Sequence, residues 1–253
     1  MFHRILLVMA VLFGILFIVS PAGAQTPALY IIDTSGPEGA IIQVSVGLSM
    51  PTAATVTVDY MTHGGTAVSP DDYEDLSGTL TFIPGDTLEY IYVSTVSDSI
   101  DEADEAFTAN LENPVNAVIG DEQAIVTLLD DDPLPLLSFA TFTDEEGTGG
   151  ATTFAIDVTL TPESGRTVTV NYGTSGGSAS PGADYTPASG MLTFVPGDTL
   201  ETVMVSINPD IIDEPLEDFY VNFSSPVNAT MGASSALVRI VDDDLMPMIT
   251  DRK

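Results

Sequence analysis

The chain contains one segment of about 110 residues written twice, and this repeat limits the possible folds more than any other feature. The segment "SGTLTFIPGDTLE" begins at residue 77 and returns as "SGMLTFVPGDTLE" at residue 189, which is 112 positions later. "TVTVDY" at residue 55 returns as "TVTVNY" at residue 167 with the same offset, so the two copies stay in register. The segment has the length of an ordinary domain, and the repeat therefore predicts two domains with one fold.

Each copy is predicted to be all-β. Segments such as "IIQVSVGL", "TVTVDY" and "EYIYVSTV" alternate apolar with polar residues or are rich in β-branched residues. Roughly seven short strands per copy, with turn signals between them, favour two tandem immunoglobulin-like β-sandwiches. The expected boundaries are a signal peptide at 1–24, domain 1 at 25–132, a short Pro-containing linker at 133–136, domain 2 at 137–244 and a C-terminal tail at 245–253.

The N-terminus has the pattern of a cleaved secretory signal. A basic residue precedes an apolar run at 5–19, and Ala22 and Ala24 supply the small residues of a cleavage site. The run is shorter than the roughly 20 residues that span a bilayer, although an uncleaved N-terminal anchor is an alternative. We expect Gln25 to be the first mature residue and no membrane span in the mature chain. The protein is therefore expected to be secreted or at the cell surface, periplasmic or extracellular if its source is bacterial.

The charge balance favours cations as partners. The chain has 37 acidic and 5 basic residues and a net charge of −32, which becomes −33 once the signal and its single Arg are removed. Nucleic acids and anionic membranes attract proteins through Lys and Arg, so neither is an expected partner. There is no cysteine, which excludes disulfides and thiolate metal sites.

The segment "SDSIDEADEAF" at 97–107 concentrates the charge. It holds five carboxylates within eight positions, and no Lys or Arg occurs between residues 25 and 162. Two unit charges about 4 Å apart repel by roughly 4 kcal/mol at an effective dielectric of 20, so a bound cation is the expected compensation. Carboxylates without His or Cys form a hard-oxygen site, which suits Ca²⁺ better than Mg²⁺.

The repeat separates the acids into a retained set and a set that changes. Asp75, Asp104 and Asp121 become Pro, Leu and Ala in the second copy. The retained acids are Glu38, Asp72, Asp98, Glu102, Glu105, Asp130, Asp131 and Asp132 in the first copy, and Glu146, Asp184, Asp210, Glu214, Glu217, Asp242, Asp243 and Asp244 in the second. Surface charge without a role would change at all positions alike, so the retained set is the candidate metal site.

These residues resemble the Calx-β domain family of sodium–calcium exchangers and extracellular adhesion proteins. The resemblance is carried by the Glu-Gly near each start, "DY" at residues 72 and 184, the "GTLTFxPGD" block, the D-x-x-D-E-x-x-E run and the closing Asp triplet. It implies a seven-stranded sandwich that binds up to four Ca²⁺ at one tip, with the retained acids as ligands and the carbonyls of Ile100 and Ile212 as further candidates. This chain has Ser97-Asp98 and Pro209-Asp210 where two successive acids are typical, so we expect two to three ions per domain.

The sequence favours a non-enzymatic function. His63 is the only histidine of the expected mature chain and has no counterpart in the second copy, so no Ser-His-Asp or Cys-His set can be built twice. A hydrolase with paired carboxylates, as in glycosidases, is a remote alternative. We expect a calcium-binding cell-surface or adhesion module, membrane-associated or free, that Ca²⁺ stiffens at the domain tips and that binds a cell-surface protein or a polysaccharide.

Two alternatives remain open at this stage. The chain could be a secreted carbohydrate- or matrix-binding module with structural Ca²⁺, in which Tyr30, Tyr90, Tyr92 and Tyr220 replace the absent tryptophans, although such tyrosines more often pack on a sheet. An exposed aromatic patch on one sheet face would favour that alternative. Adaptation to high salt could also explain part of the acidity, but it does not explain why the same acids occur in both copies.

Overall fold

The computed structural model describes residues 25–245, and all regular structure in that range is β-strand. The expected signal peptide and nearly all of the expected C-terminal tail lie outside the described residues. In the part of the chain that the structure describes, no helix has the length and apolar character needed to cross a membrane.

Domain 1 is a sandwich of a four-stranded and a five-stranded sheet. Its strands are β1 (Ala28–Ile31), β2 (Thr34–Pro37), β3 (Ile41–Leu48), β4 (Val56–His63), β5 (Ser77–Phe82), β6 (Leu88–Ser94), β7 (Glu105–Val115), β8 (Val118–Ile119) and β9 (Gln123–Leu129). The sheet orders are β6-β3-β1-β8 and β2-β9-β7-β4-β5. The first strand of the sandwich is divided, because β1 pairs with β3 in one sheet and β2 pairs in parallel with β9 in the other.

Domain 2 repeats this arrangement strand for strand. Its strands are β10 (Leu136–Phe139), β11 (Phe142–Glu145), β12 (Thr152–Thr161), β13 (Val168–Gly176), β14 (Ser189–Phe194), β15 (Leu200–Ile207), β16 (Glu217–Val227), β17 (Thr230–Met231) and β18 (Ser235–Val241). The sheet orders are β15-β12-β10-β17 and β11-β18-β16-β13-β14. The prediction of an all-β protein with two tandem sandwiches is confirmed.

Each domain has its own core, built from the inward half of the alternating strands. In β12, for example, Phe154, Ile156, Val158 and Leu160 are buried while the residues between them are exposed. The period of two puts apolar side chains on the inner face, where burial of each contributes about 1.5–3 kcal/mol. The buried apolar residues form two separate clusters, one from each copy of the repeated sequence.

An aromatic pair anchors the same loop in both domains. Tyr73 stacks on Phe107 with ring centroids 4.0 Å apart, and Tyr185 stacks on Phe219 at 4.3 Å. All four rings are fully buried. Because each tyrosine directly follows a retained acid, the core fixes the position of that acid at the end of the sandwich.

The repeated "PVNA" segment has a structural explanation. Asn116 and Asn228 adopt left-handed backbone conformations with φ of 63° and 57°. Asn tolerates this region better than most residues, and each side chain here donates a hydrogen bond to a backbone carbonyl, of Thr55 and Thr167 respectively. The segment is retained for its turn and not for the metal site.

Candidate metal centre

The loops at one end of domain 1 bring the retained acids together from four parts of the chain. One loop follows β2, a second joins β4 to β5, a third joins β6 to β7, and the last follows β9. The sandwich places these loops side by side, so acids that are distant in sequence become neighbours. Within this loop cluster, two groups of carboxylates can be distinguished.

The first group consists of Glu38, Asp98 and Asp132, and one carboxylate oxygen from each of them lies within 4.8 Å of the other two. The Asp98 carboxylate accepts a hydrogen bond of 2.7 Å from the Ile100 backbone N–H, which fixes its direction. Burial, followed by the charges of Asp98 and other nearby acids, raises the pKa of Glu38 to about 7. The group therefore holds its negative charge at an energetic cost that a bound cation would remove.

The second group of domain 1 is defined by charge and not by a shared 4.8 Å distance: the Asp72 carboxylate acts on both Glu102 and Glu105. Burial and then the neighbouring Asp72 carboxylate raise the pKa of Glu105 to about 7. Burial and the acids around it, Asp98 and Asp72 first, also raise the pKa of Glu102. The Asp130 carboxylate accepts a hydrogen bond of 3.2 Å from the Glu102 backbone N–H, so it links the two groups.

Domain 2 has two corresponding groups that are not identical to those of domain 1, because Asp242 enters its first group in place of Asp210, the counterpart of Asp98. Carboxylate oxygens within 4.8 Å of one another come from Glu146, Asp242 and Asp244 in the first, and from Asp184, Glu214 and Glu217 in the second. Burial, followed by Asp210, raises the pKa of Glu146 to about 7, and burial followed by Asp184 raises that of Glu217 to about 7. Two separate domains thus show the same elevation of pKa at corresponding residues.

Buried oxygens without partners show that these groups fit a cation. One carboxylate oxygen each of Asp132, Glu146 and Asp244 is buried and accepts no hydrogen bond within the described residues. An unpaired buried carboxylate oxygen is costly, and among residues 25–245 no basic side chain forms an ion pair with a grouped carboxylate. An all-oxygen donor set with several carboxylates is the type of site that Ca²⁺ occupies.

Nine of the sixteen retained acids have a carboxylate oxygen in one of the 4.8 Å groups, and the seven others are Asp72, Glu102, Glu105, Asp130, Asp131, Asp210 and Asp243. Asp131 is exposed and lies outside the grouped carboxylates. The Asp243 carboxylate accepts a hydrogen bond of 3.1 Å from the Gly147 backbone N–H, which gives it a loop-supporting role. Ile100 and Ile212 use their N–H groups to orient Asp98 and Asp210, each at 2.7 Å, and the role of their carbonyls stays a prediction.

The raised pKa values predict how the metal-free protein responds to pH. A carboxyl whose pKa is higher in the folded than in the unfolded state stabilises the fold fully below the unfolded pKa of about 4.5, and this contribution is lost as the pH rises through about 7. In chelator, the melting temperature should therefore be higher at about pH 6 than at about pH 8. The double variant Glu38→Gln, Glu146→Gln should show a smaller difference. Equal melting temperatures of the native protein at both pH values would contradict the burial of these carboxyls.

The sequence did not reveal that Asp101 connects the two domains. Asp101 lies in the metal loop of domain 1, but its side chain is only 3% exposed and faces domain 2. Its backbone carbonyl accepts a hydrogen bond of 3.1 Å from the Gly165 N–H. The Ser164 hydroxyl contacts its carboxylate at 3.2 Å, and Arg166 Nη1 forms an ion pair with it at 3.5 Å.

A signal for this contact is present in the sequence. Arg166 is the first basic residue after Arg4, and the corresponding residue of the first copy is Ala54. The base therefore occurs only in the copy whose loop meets the acidic tip of the other domain. Gly165 allows the close approach, because a Cβ at this position would lie 2.4 Å from Glu102 Oε1.

Comparisons with known proteins agree with this arrangement. A family model described as the Calx-beta domain matches residues 34–132 and 138–244. Sodium/calcium exchanger 2 of Rattus norvegicus is 31% identical over 214 residues, which cover 76% of this chain and 23% of the exchanger. Adhesion G-protein coupled receptor V1 of Danio rerio is 31% identical over 197 residues, covering 75% of this chain and 3% of the receptor. The chain thus spans less than a quarter of the length of these curated relatives.

Solved structures of related domains are also similar to this chain. The crystal structure of CBD12 from CALX1.2 has a TM-score of 0.41 and 24% sequence identity, covering 84% of this chain and 99% of that one. Because the family model matches both copies of the repeat and most of the chain, this protein belongs to the Calx-beta domain family and carries two such domains in tandem.

Proposed function

We propose that this chain is an exported, non-enzymatic protein whose two Calx-beta domains bind Ca²⁺, with two to three ions at the tip of each domain. The observation that carries the proposal occurs in both domains: carboxylates converge, at least one of them keeps a buried oxygen without a partner, and no ion pair within residues 25–245 neutralises them. Ca²⁺ would supply the positive charge that these groups lack. The grouped acids of the two domains are the proposed ligands, and Asp131 and Asp243 contribute less directly.

The proposed role of the ions in domain 1 extends to the junction between the domains. Asp101 is held by domain 2, and the next residue, Glu102, belongs to the second carboxylate group. An ion that fixes the Glu102 side chain would also fix the loop that presents Asp101 to Arg166. We therefore propose that Ca²⁺ makes the pair of domains a stiff unit.

The proposed setting is the cell surface, where a stiff tandem of sandwiches acts as a spacer or adhesion module. The signal-like N-terminus and the likeness to a part of an adhesion receptor support this proposal. The partner would be a cell-surface protein or a polysaccharide. Locating the native protein by fractionation and surface proteolysis of cells tests this step, and a purely intracellular protein would contradict it.

Calorimetric Ca²⁺ titration of single-residue variants tests the proposed ligands. Glu105→Ala removes a carboxylate from the second group of domain 1 and should lower the affinity of that domain by at least about tenfold, since loss of even a supporting residue typically costs 10–100-fold. Asp121→Ala removes the same charge from an exposed position between β8 and β9 and should leave binding unchanged. Equal losses in both variants would mean that overall charge, and no defined site, attracts the ion.

A further inference from the structure

Three tyrosines lie on the outer face of the four-stranded sheet of domain 1. Tyr30 on β1 stands opposite Gly47 on β3, and on β6 Tyr90 stands opposite Ser45 and Tyr92 opposite Gln43. Tyr30 is 39% and Tyr92 57% exposed, although both lie within regular strands. We call these tyrosines, together with Gln43 and Ser45, the tyrosine face.

The rings of the tyrosine face are held in place but not covered. The Tyr30 ring occupies the space beside Gly47, where an added Cβ would come within 2.2 Å of it. The centroids of Tyr90 and Tyr92 are 6.3 Å apart with planes tilted by 46°, so these rings do not stack on each other. Among residues 25–245, no protein group hydrogen-bonds to the Gln43 amide or to the three hydroxyls. Exposed aromatic surface and unused polar groups are thus available together.

The fold itself does not require this face. At the same positions of the sheet in domain 2, Tyr30, Tyr90 and Tyr92 are replaced by Ser138, Thr202 and Met204. Asp157 takes the place of Ser45 in that sheet. Domain 2 forms the same sheet with the same strand order, so the aromatic residues are not needed to build it. An exposed apolar surface that the fold does not need usually marks an interaction site.

The charge and polarity of the tyrosine face indicate which class of ligand it can bind. None of its five side chains carries a charge at neutral pH, whereas the chain as a whole has a net charge of −32. This charge repels polyanions and opposes pairing with a second copy, and a polycation would bind the acidic tips instead. A neutral polymer rich in hydroxyl groups is not repelled by the negative charge of the chain. Its sugar rings can lie on the apolar faces of the tyrosines, while Gln43 and Ser45 bond its hydroxyls.

We propose that the tyrosine face of domain 1 binds a neutral polysaccharide. This inference deepens the proposed function, from which it takes the export of the chain, but it does not depend on Ca²⁺ at the tips. The face lies on a flat sheet surface, and the candidate metal ligands lie in the loops. Ca²⁺ titration and polysaccharide binding therefore fail or succeed independently.

Affinity electrophoresis of the chain from residue 25 onward tests the proposal. Native gels containing hydroxyethyl cellulose, xylan or dextran as neutral polysaccharides, or alginate as an anionic one, are run in Ca²⁺ buffer. We expect at least one neutral polymer to retard the protein and alginate not to. Tyr92→Ala should weaken the retardation constant by about tenfold, as expected for loss of a central aromatic contact. Gln43→Ala, which removes only an exposed amide, should weaken it by a smaller factor.

The matched controls are in domain 2. Met204→Ala changes the position equivalent to Tyr92, and Tyr220→Ala removes an exposed tyrosine from the five-stranded sheet. Both should behave as the native protein does. Circular dichroism melts show whether Tyr92→Ala is folded, and Gln43→Ala serves as the test if it is not. Absence of retardation by every neutral polymer, equal retardation of the Tyr92 and Gln43 variants, or a dimer in sedimentation that Tyr92→Ala dissociates would overturn the proposal.

Discussion

Removal of Ca²⁺ should lower the melting temperature of this protein by about 10–25 °C. A ligand present at ten times its dissociation constant adds about 1.4 kcal/mol per independent site to the free energy of unfolding. Two ions per domain would then contribute about 3 kcal/mol to each domain. For a domain of this size each kcal/mol shifts the midpoint by about 4–8 °C. Calorimetric scans in Ca²⁺ and in excess chelator measure the effect.

The identity of the ion and the place of its binding need separate controls. Mg²⁺ at the same concentration should restore less of the stability, because it prefers fewer carboxylates and more water. The double variant Glu105→Ala, Glu217→Ala, which loses one grouped acid from each domain, should respond weakly to both ions. If chelator leaves the melt of the native protein unchanged, adaptation to salt becomes the better explanation of the acidity.

Arg166→Ala should release the fixed orientation of the two domains. The substitution leaves the buried Asp101 carboxylate without its cation, and an unsatisfied buried group costs about 1–3 kcal/mol, more when it is charged. Solvent screening reduces this cost, because the Arg166 side chain is 38% exposed. Ser164 and Arg166, which hold Asp101, belong to neither hydrophobic core, so the penalty should open the interface before it unfolds either domain. Small-angle X-ray scattering should show a larger and more variable radius of gyration.

Arg239 provides the matched control for this experiment. It carries the same charge and is exposed on β18, where it stands opposite Asp218, away from Asp101. Arg239→Ala should scatter as the native protein does. Chelator should act on the native protein in the same direction as Arg166→Ala, because the loop that holds Asp101 also holds Glu102. Identical scattering of the native protein in Ca²⁺ and in chelator would refute the proposed stiffening.

The fold and the location of the acids could be predicted because both depend on local patterns that the chain displays twice. Alternation with a period of two defines the strands, and the aligned copies distinguish Glu105, which recurs, from Asp104, which does not. Retention alone does not show what each acid contacts. Asp243 recurs as the partner of Asp131, yet its carboxylate serves the Gly147 backbone, and only the folded loop shows this.

The contact between the domains and the tyrosine face could not be derived in the same way. Asp101 and Asp213 occupy equal positions in the two copies, but one is buried against the other domain and one is exposed. The difference depends on the relative orientation of whole domains. Tyr90 and Tyr92 are two residues apart and predictably share a face, whereas the place of Tyr30 beside them follows from the pairing of β1 with β3.

The consecutive residues Asp101 and Glu102 suggest a rule for reading longer arrays of such modules. One side chain of this dipeptide is turned toward the following module and the other toward the carboxylates of its own module. Under the proposed stiffening, a base in the place of Arg166 marks a junction that Ca²⁺ can hold, and an alanine, as at residue 54, marks one that lacks this ion pair. Asp213 and Glu214 repeat the dipeptide at the second tip, where Asp213 is exposed and forms no ion pair within residues 25–245. In a longer array of such domains, the stiffness of each junction would thus depend on one side chain, the residue that aligns with Arg166 in the following domain.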